Sequence, residues 1–283
     1  MTTGQLLTSA WDFEPSILGG CAALLAAYAL LARPALTARG VLYGCGVLVL
    51  LLALISPIDT LGDGYLFSAH MLQHLLLVLV VPPLLLLGIP AAAYRELLAW
   101  GPVRRAERAL GHPLLAGFLG PSTLWIWHAP PLYDAALASQ GVHILQHLTF
   151  LVTSTIFWWP VLAPAEASRR LHPLGSIIYL MTALVDNSVL GIVITFAPVG
   201  LYPAYLHPLD RLGALPLLRG GWGLSPATDQ QLGGVLMWVI GGPVYLLAGL
   251  GILARWFTAP DEPEPATEVA WQTTATEVAS RQT

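Results

Sequence analysis

Seven apolar runs, near 16–33, 40–57, 67–89, 112–129, 141–162, 173–196 and 230–257, are separated by shorter polar segments. At 1.5 Å per residue each is long enough to cross a hydrocarbon core of about 30 Å. The pattern predicts an all-α integral membrane protein: a seven-transmembrane-helix bundle within a membrane domain over residues 1–257. No basic segment precedes the first run and no small-residue cleavage site follows it, so it reads as an uncleaved helix. Pro82-Pro83 predicts a kink in the third helix, since a proline ring removes one helical hydrogen bond and clashes with the preceding turn. Residues 90–111 mix alanine with Arg95, Glu96, Arg104, Arg105, Glu107 and Arg108 and predict an interfacial helix on the inner face. The 197–229 connection is rich in proline and glycine and is expected to be functional or mobile. Residues 258–283 are polar, begin Pro260-Asp261-Glu262-Pro263-Glu264-Pro265, and repeat Ala-Thr-Glu-Val-Ala at 266–270 and 275–279. They predict a disordered cytoplasmic tail.

The polar residues inside these runs carry the chemistry. His70-Met71-Leu72-Gln73-His74 returns as His143-Ile144-Leu145-Gln146-His147, each near the start of a run entering from the same side. Positions 0, +3 and +4 share one helix face, so each copy sets two imidazoles and an amide side by side. Imidazoles spaced i, i+4 can chelate one metal ion. Two such faces at one depth would form a four-histidine pocket. Gln73 and Gln146 suit a supporting shell that orients the rings, or act as helix–helix glue.

A composition of 56% hydrophobic and 10% charged residues excludes a soluble globule. All twelve basic residues are arginine, which excludes a Schiff-base lysine and a Walker A phosphate loop. Placing the N-terminus outside leaves Arg33, Arg39, Arg95, Arg104, Arg105, Arg108, Arg169, Arg170, Arg255 and Arg281 inside, with only Arg211 and Arg219 outside. That bias predicts an N-out, C-in topology. Cys21 and Cys45 fall near opposite membrane faces and form no Cys-x-x-Cys, so both read as core residues.

His74 and His147 lie at matching depths, roughly 10 Å below the outer surface by the helical rise. The sixth run brings Asp186-Asn187 to about 15 Å below that surface. Asp229 and Gln230 open the seventh run; His128 closes the fourth, followed by Asp134. The outer half of the bilayer therefore gathers polar groups from several helices, and the inner half has no comparable set. A carboxylate at mid-membrane costs about 2.5–3.5 kcal/mol on insertion scales, so Asp186 is expected to have a partner, whether a metal, a proton route or Asn187. His128 reads either as a rim hydrogen bond or as a wall of the site. Met71 and Met181 read as packing, and Trp100, Trp125, Trp127, Trp158, Trp159, Trp222 and Trp256 mostly as interfacial belts.

At these residues the chain resembles the caa3-type CtaG family, integral-membrane assembly factors of cytochrome c oxidase. The resemblance rests on five ordered features besides the first histidine pair: Trp127-His128-Ala129-Pro130-Pro131-Leu132-Tyr133; His143/His147; Asp186-Asn187; Leu201-Tyr202-Pro203-Ala204-Tyr205; and Asp229-Gln230-Gln231-Leu232-Gly233-Gly234 before Met237-Trp238. It implies a seven-helix plasma-membrane protein, not an enzyme, that matures a haem-copper oxidase by delivering copper to its catalytic subunit. Multi-Met and Cys-x-Cys copper motifs are absent. The combined expectation is a copper ion on His70, His74, His143 and His147 tuned by Asp186, with Gln73, Gln146, His128, Asp134, Asn187, Asp229 and Gln230 around it. The ion would enter beneath the 197–229 loop and pass sideways. An extracytoplasmic copper donor, the oxidase catalytic subunit and membrane lipid are the expected partners, with no role for nucleic acid. Imidazoles also suit zinc, iron and nickel. The rival readings are a haem-binding electron-transfer protein, since paired histidines can ligate haem, and a metal-ion transporter.

Overall fold

A computed structural model describes residues 1–32, 37–164, 167 and 169–258. The tail beyond Thr258, Arg33 and Arg281 lie outside the described residues. Every regular element described is helical. Seven of the helices have 16 or more residues: α1 (Pro15–Ala32), α2 (Ala38–Ile55), α3 (Phe67–Gly88), α4 (Pro113–His128), α5 (Gln140–Leu162), α6 (Pro173–Phe196) and α7 (Pro226–Thr258). Their ends match the apolar runs to within a few residues. Five of them, α1, α2, α3, α6 and α7, are long and apolar enough to cross a membrane. The protein is thus an all-α, multi-span membrane protein. α4 has only 16 residues, and α5 interleaves Gln146, His147, Thr149, Thr153 and Thr155 with its apolar residues.

α3 is the axis of the bundle. It is the most buried of the five, and it packs against α2, α5 and α7, while α1 lies at the edge against α2. Polar contacts, not only apolar ones, lock α3 in place. Its first turn begins at Leu66, which has no side chain able to cap. The orphan amides of Phe67 and Ser68 instead donate to the Asp229 carboxylate of α7 at 2.8 and 3.1 Å, and the Ser68 hydroxyl donates to it at 2.6 Å. A carboxylate at a helix N-terminus also complements the helix dipole.

Further along, Leu76–Val80 opens into a π turn just before Pro82-Pro83. Pro82 has no N–H to give to the carbonyl four residues back, Val78, and the Trp158 indole N–H of α5 donates there at 3.0 Å. α7 carries a matching π turn at Leu236–Ile240, where the Met237 carbonyl accepts from Asn187 Nδ2 of α6 at 2.7 Å. Two tryptophans expected in interfacial belts are therefore buried donors: Trp158, and Trp127, which donates to Thr149. α6 and α7 lie in close contact where Gly191 faces Gly234; a Cβ on Gly234 would fall 2.7 Å from the Thr195 amide nitrogen.

The expected interfacial helix is two, Ala91–Ala99 and Gly101–Leu110, broken at Trp100 because Pro102 cannot continue the first helix's hydrogen bonding. The long 197–229 connection, expected to be functional or mobile, is held by a small core and by hydrogen bonds. Leu6, Leu61, Tyr65, Leu66, Ala214 and Leu218 share a small core over the end where α3 begins. Gln230 accepts from the Gly200 and Leu201 amides and donates to the Ala197 and Pro198 carbonyls. Tyr65 accepts from the Leu212 amide, and Arg219 donates to the carbonyls of Tyr205 and Leu224.

Asp229→Ala leaves two buried amides and a hydroxyl unpaired, at about 1–3 kcal/mol for such a group. The expected outcome is a lowered thermal midpoint for the detergent-solubilised protein, with Asp229→Asn intermediate.

Candidate metal centre

α3 and α5 lie side by side in the same sense, with their histidines in register. The ring of His70 is 5.3 Å from that of His143, and His74 is 5.7 Å from His147. Within each helix the paired rings are 4.3 and 4.1 Å apart. Phe150 closes the far side against His74 at 4.6 Å. The structure therefore brings all four sequence-predicted imidazoles together, and an α3/α5 face is where they meet.

Their hydrogen bonding divides them. His70 Nδ1 faces oxygens: Tyr205 Oη at 3.3 Å, the Gly62 carbonyl at 3.4 Å and Asp63 Oδ1 at 3.7 Å. Tyr205 gives its own proton to the Gly62 carbonyl at 2.7 Å, so it accepts from His70, and the imidazole proton resides on Nδ1. His143 Nδ1 likewise faces Asp63 Oδ2 at 3.3 Å. The Nε2 atoms of His70, His143 and His147 and both nitrogens of His74 are buried without a hydrogen-bond partner. A neutral imidazole whose Nδ1–H is held by an oxygen presents a lone pair on Nε2, the usual support of a metal-ligating histidine.

Two groups of ligand-bearing side chains result. Atoms of His70, His74 and His147 lie within 4.8 Å of one another, as do atoms of Asp63, His70 and His143. These are distances that side-chain rotation closes onto an ion with bonds of about 2.0–2.2 Å. The unpartnered nitrogens and the all-imidazole donor set fit a borderline transition metal.

The remaining predicted residues fall around or away from this centre. His128 is buried, gives Nδ1–H to the Leu124 carbonyl at 2.7 Å, and sets Nε2 3.4 Å from Met71 Sδ, its ring 5.5 Å from His74. Gln73 donates to the Ala53 carbonyl at 2.9 Å and to Asp59 at 2.6 Å, toward α2, because about 100° of helix separates it from His74. Gln146 is fully buried with neither amide atom partnered. Asp229 and Gln230 hold the scaffold as described above. Asp134 has one buried oxygen without a partner, and burial raises its carboxyl above the usual range.

Asp186 is in neither ligand group. It accepts from the Trp125 indole at 3.1 Å and lines a groove of about 800 Å³ with Leu114, Phe118, Pro121 and Tyr179, on the α4/α6 side. Consecutive helical residues differ by about 100°, so Asn187 turning inward to Met237 leaves Asp186 facing the groove.

Asp63, Tyr205 and Tyr133, whose hydroxyl is 3.0 Å from that of Tyr205, were not singled out as site residues by sequence reasoning. Asp63 had a signal: it closes the acidic segment Asp59-Thr60-Leu61-Gly62-Asp63 just before the first histidine helix. Gly62 lets that segment lie against α3, since a Cβ there would be 3.0 Å from the His70 backbone.

What these observations define is a multi-pass membrane protein with a buried polyhistidine centre near one end of its bundle. The sequence profile of the cytochrome c oxidase caa3 assembly factor family, Caa3_CtaG, matches residues 22–259, and the chain belongs to that family. Its members are assembly factors and not enzymes. Similar proteins include uncharacterized proteins of Mycobacterium bovis and Mycobacterium tuberculosis, each 25% identical over 277 residues, covering 90% of this chain and 40% of the relative. One from Mycobacterium leprae is 24% identical over 216 residues, covering 71% of this chain and 31% of the relative. The chain thus spans less than half the length of these relatives. No solved structure matches it.

Asp59, on the short helix Pro57–Gly64, has its carboxyl pushed up to about 7, first by burial and then by nearby Asp63, against the lowering bond from Gln73. Its proton is held more tightly in the folded than in the unfolded chain. This contribution to stability is therefore full below the ordinary carboxylate range and lost as pH rises through about 7. Asp59→Asn should therefore raise the thermal midpoint of the metal-free protein relative to wild type more at about pH 8 than at about pH 5.

Proposed function

We propose that the protein is a plasma-membrane assembly factor for haem-copper cytochrome c oxidase that binds copper on its imidazole cluster and delivers it to the oxidase catalytic subunit. The reading includes seven spans with the N-terminus outside, which puts the histidine end of the bundle on the extracytoplasmic side. One observation carries it: four neighbouring histidines leave five imidazole nitrogens buried and unpartnered. In a medium without water, unmet polar groups are costly, and a cation relieves them where no hydrogen-bond partner is present. Family membership supports copper as cargo and the oxidase as recipient.

The residues have distinct parts in this reading. His70, His74 and His147 offer neutral nitrogen donors, a set that holds copper without protein charge. Tyr205 and the Gly62 carbonyl fix the His70 tautomer. Phe150 and the buried layer of Leu77, Val78, Phe157 and Trp158 close the centre on the side away from Asp63. That apolar layer favours loading and release from one side over transport through the bundle. Imidazoles crowded i, i+4 on one helix, at 4.1 and 4.3 Å, suit a bare ion better than one flat macrocycle. Ligand exchange with a partner's own histidines would complete delivery, and an extracytoplasmic donor would supply the ion.

Metal analysis after copper loading of the purified protein tests this. Wild type is expected to retain copper, and a His74→Ala, His147→Ala double variant to bind at least ~10-fold more weakly. No copper on the wild type, or equal copper on both, refutes the reading.

A further inference from the structure

The two ligand groups share His70, and they differ in exposure. The Asp63 side chain is 40% exposed, that of His143 10% and that of His70 0%. His74 is 2% exposed as a residue. A graded path thus runs from a solvent-facing carboxylate to a sealed imidazole. Asp59 lies within electrostatic reach of Asp63 and His143 at its mouth.

The shared ring imposes a rule. His70 turns Nδ1 toward Asp63 and leaves Nε2 buried and unpartnered. A neutral imidazole has a single lone pair, so it serves one nitrogen at a time. An ion held by Asp63 with the Nδ1 atoms of His70 and His143 requires the His70 proton on Nε2. An ion held by His70 Nε2 with His74 and His147 requires that proton on Nδ1, where Tyr205 Oη and the Gly62 carbonyl receive it.

We infer that the centre is a two-position relay, in which Asp63, His70 and His143 form an outer loading position, His70, His74 and His147 form an inner holding position, and the shared His70 ring makes the two mutually exclusive. The inference rests on the copper reading above and adds a ligand, Asp63, and an order of events. As the cation steps inward, its bonds to Asp63 and to the Nδ1 atoms break and bonds to Nε2 of His70 and to His74 and His147 form. The protons of His70 and His143 each move from Nε2 to Nδ1, so neither ring gains or loses a proton overall. Asp63 then returns to accepting from His143. Release to a recipient reverses the same path. The inner position, where His147 is partly exposed but its Nε2 is buried, holds the ion on nitrogen alone while the outer one sets the rate.

The test is Cu²⁺ added to the full detergent-purified chain, followed by metal analysis and rapid-freeze electron paramagnetic resonance. Wild type should take up one ion per chain, with an early signal of mixed nitrogen and oxygen ligation giving way to an all-nitrogen signal. Asp63→Asn should slow loading at least ~10-fold while the final amount of copper and the all-nitrogen signal stay the same. The His74→Ala, His147→Ala variant should stop at the mixed-ligand signal. Loading of Asp63→Asn at the wild-type rate, loss of its bound copper at equilibrium, or two ions per wild-type chain overturns the relay and leaves copper binding standing. A wild type that takes up no copper overturns the copper reading and the relay with it.

Discussion

Nitrogen lone pairs and N–H groups that cannot reach water govern this molecule. Four histidines face one another between α3 and α5 inside an apolar bundle, and five of their nitrogens have no hydrogen-bond partner. Several buried polar side chains of the scaffold are supplied with partners: Asp229 by the first turn of α3, Gln230 by the 197–201 backbone, and Asn187 by a π-turn carbonyl. These hold the fold, while the histidines, with Gln146 beside them, form the largest set of buried groups without partners. A fold of this kind keeps unpaired donors in its interior only where neighbouring packing over-determines their positions.

That over-determination comes from α3. A helix broken by two prolines would be a weak axis if its freed carbonyl stayed unmet. Trp158 donates to Val78, and the same indole stacks on Tyr245 of α7 at 5.7 Å, so repair of the proline break also ties α5, α3 and α7 together. Asp229 performs the corresponding task at the start of α3. The imidazoles therefore sit on helices tied to each other on one side of the centre by Trp158, with the start of α3 tied to α7 by Asp229 on the other. A site mounted on rigid elements in this way suits ligand exchange at fixed geometry.

Much of the arrangement was legible from residue spacing. The helix ends follow the apolar runs, and the matched depth of the two histidine pairs follows from their place in two runs entering from one side. Roles that depend on rotation about a helix axis were less legible. Gln73 shares the depth of the histidines yet turns away to Asp59, and Asp186 turns to Trp125 and a lateral groove. Depth is a one-dimensional quantity that sequence position supplies; azimuth depends on which neighbour each face meets. Asp63 was missed for a related reason, since it lies in a connection whose path over the α3 terminus is set by Gly62 and by the Leu61/Tyr65/Leu218 core.

By itself the amino-acid order determined a helical membrane protein, its family, and two i, i+4 histidine faces, because hydrophobic period and helical pitch act along one chain. Only the tertiary structure decided that the faces meet in register, that His70 belongs to two ligand groups, and that a carboxylate joins one of them. Those outcomes depend on contacts between segments as far apart as Gly62, His143 and Tyr205, and no local rule links their positions.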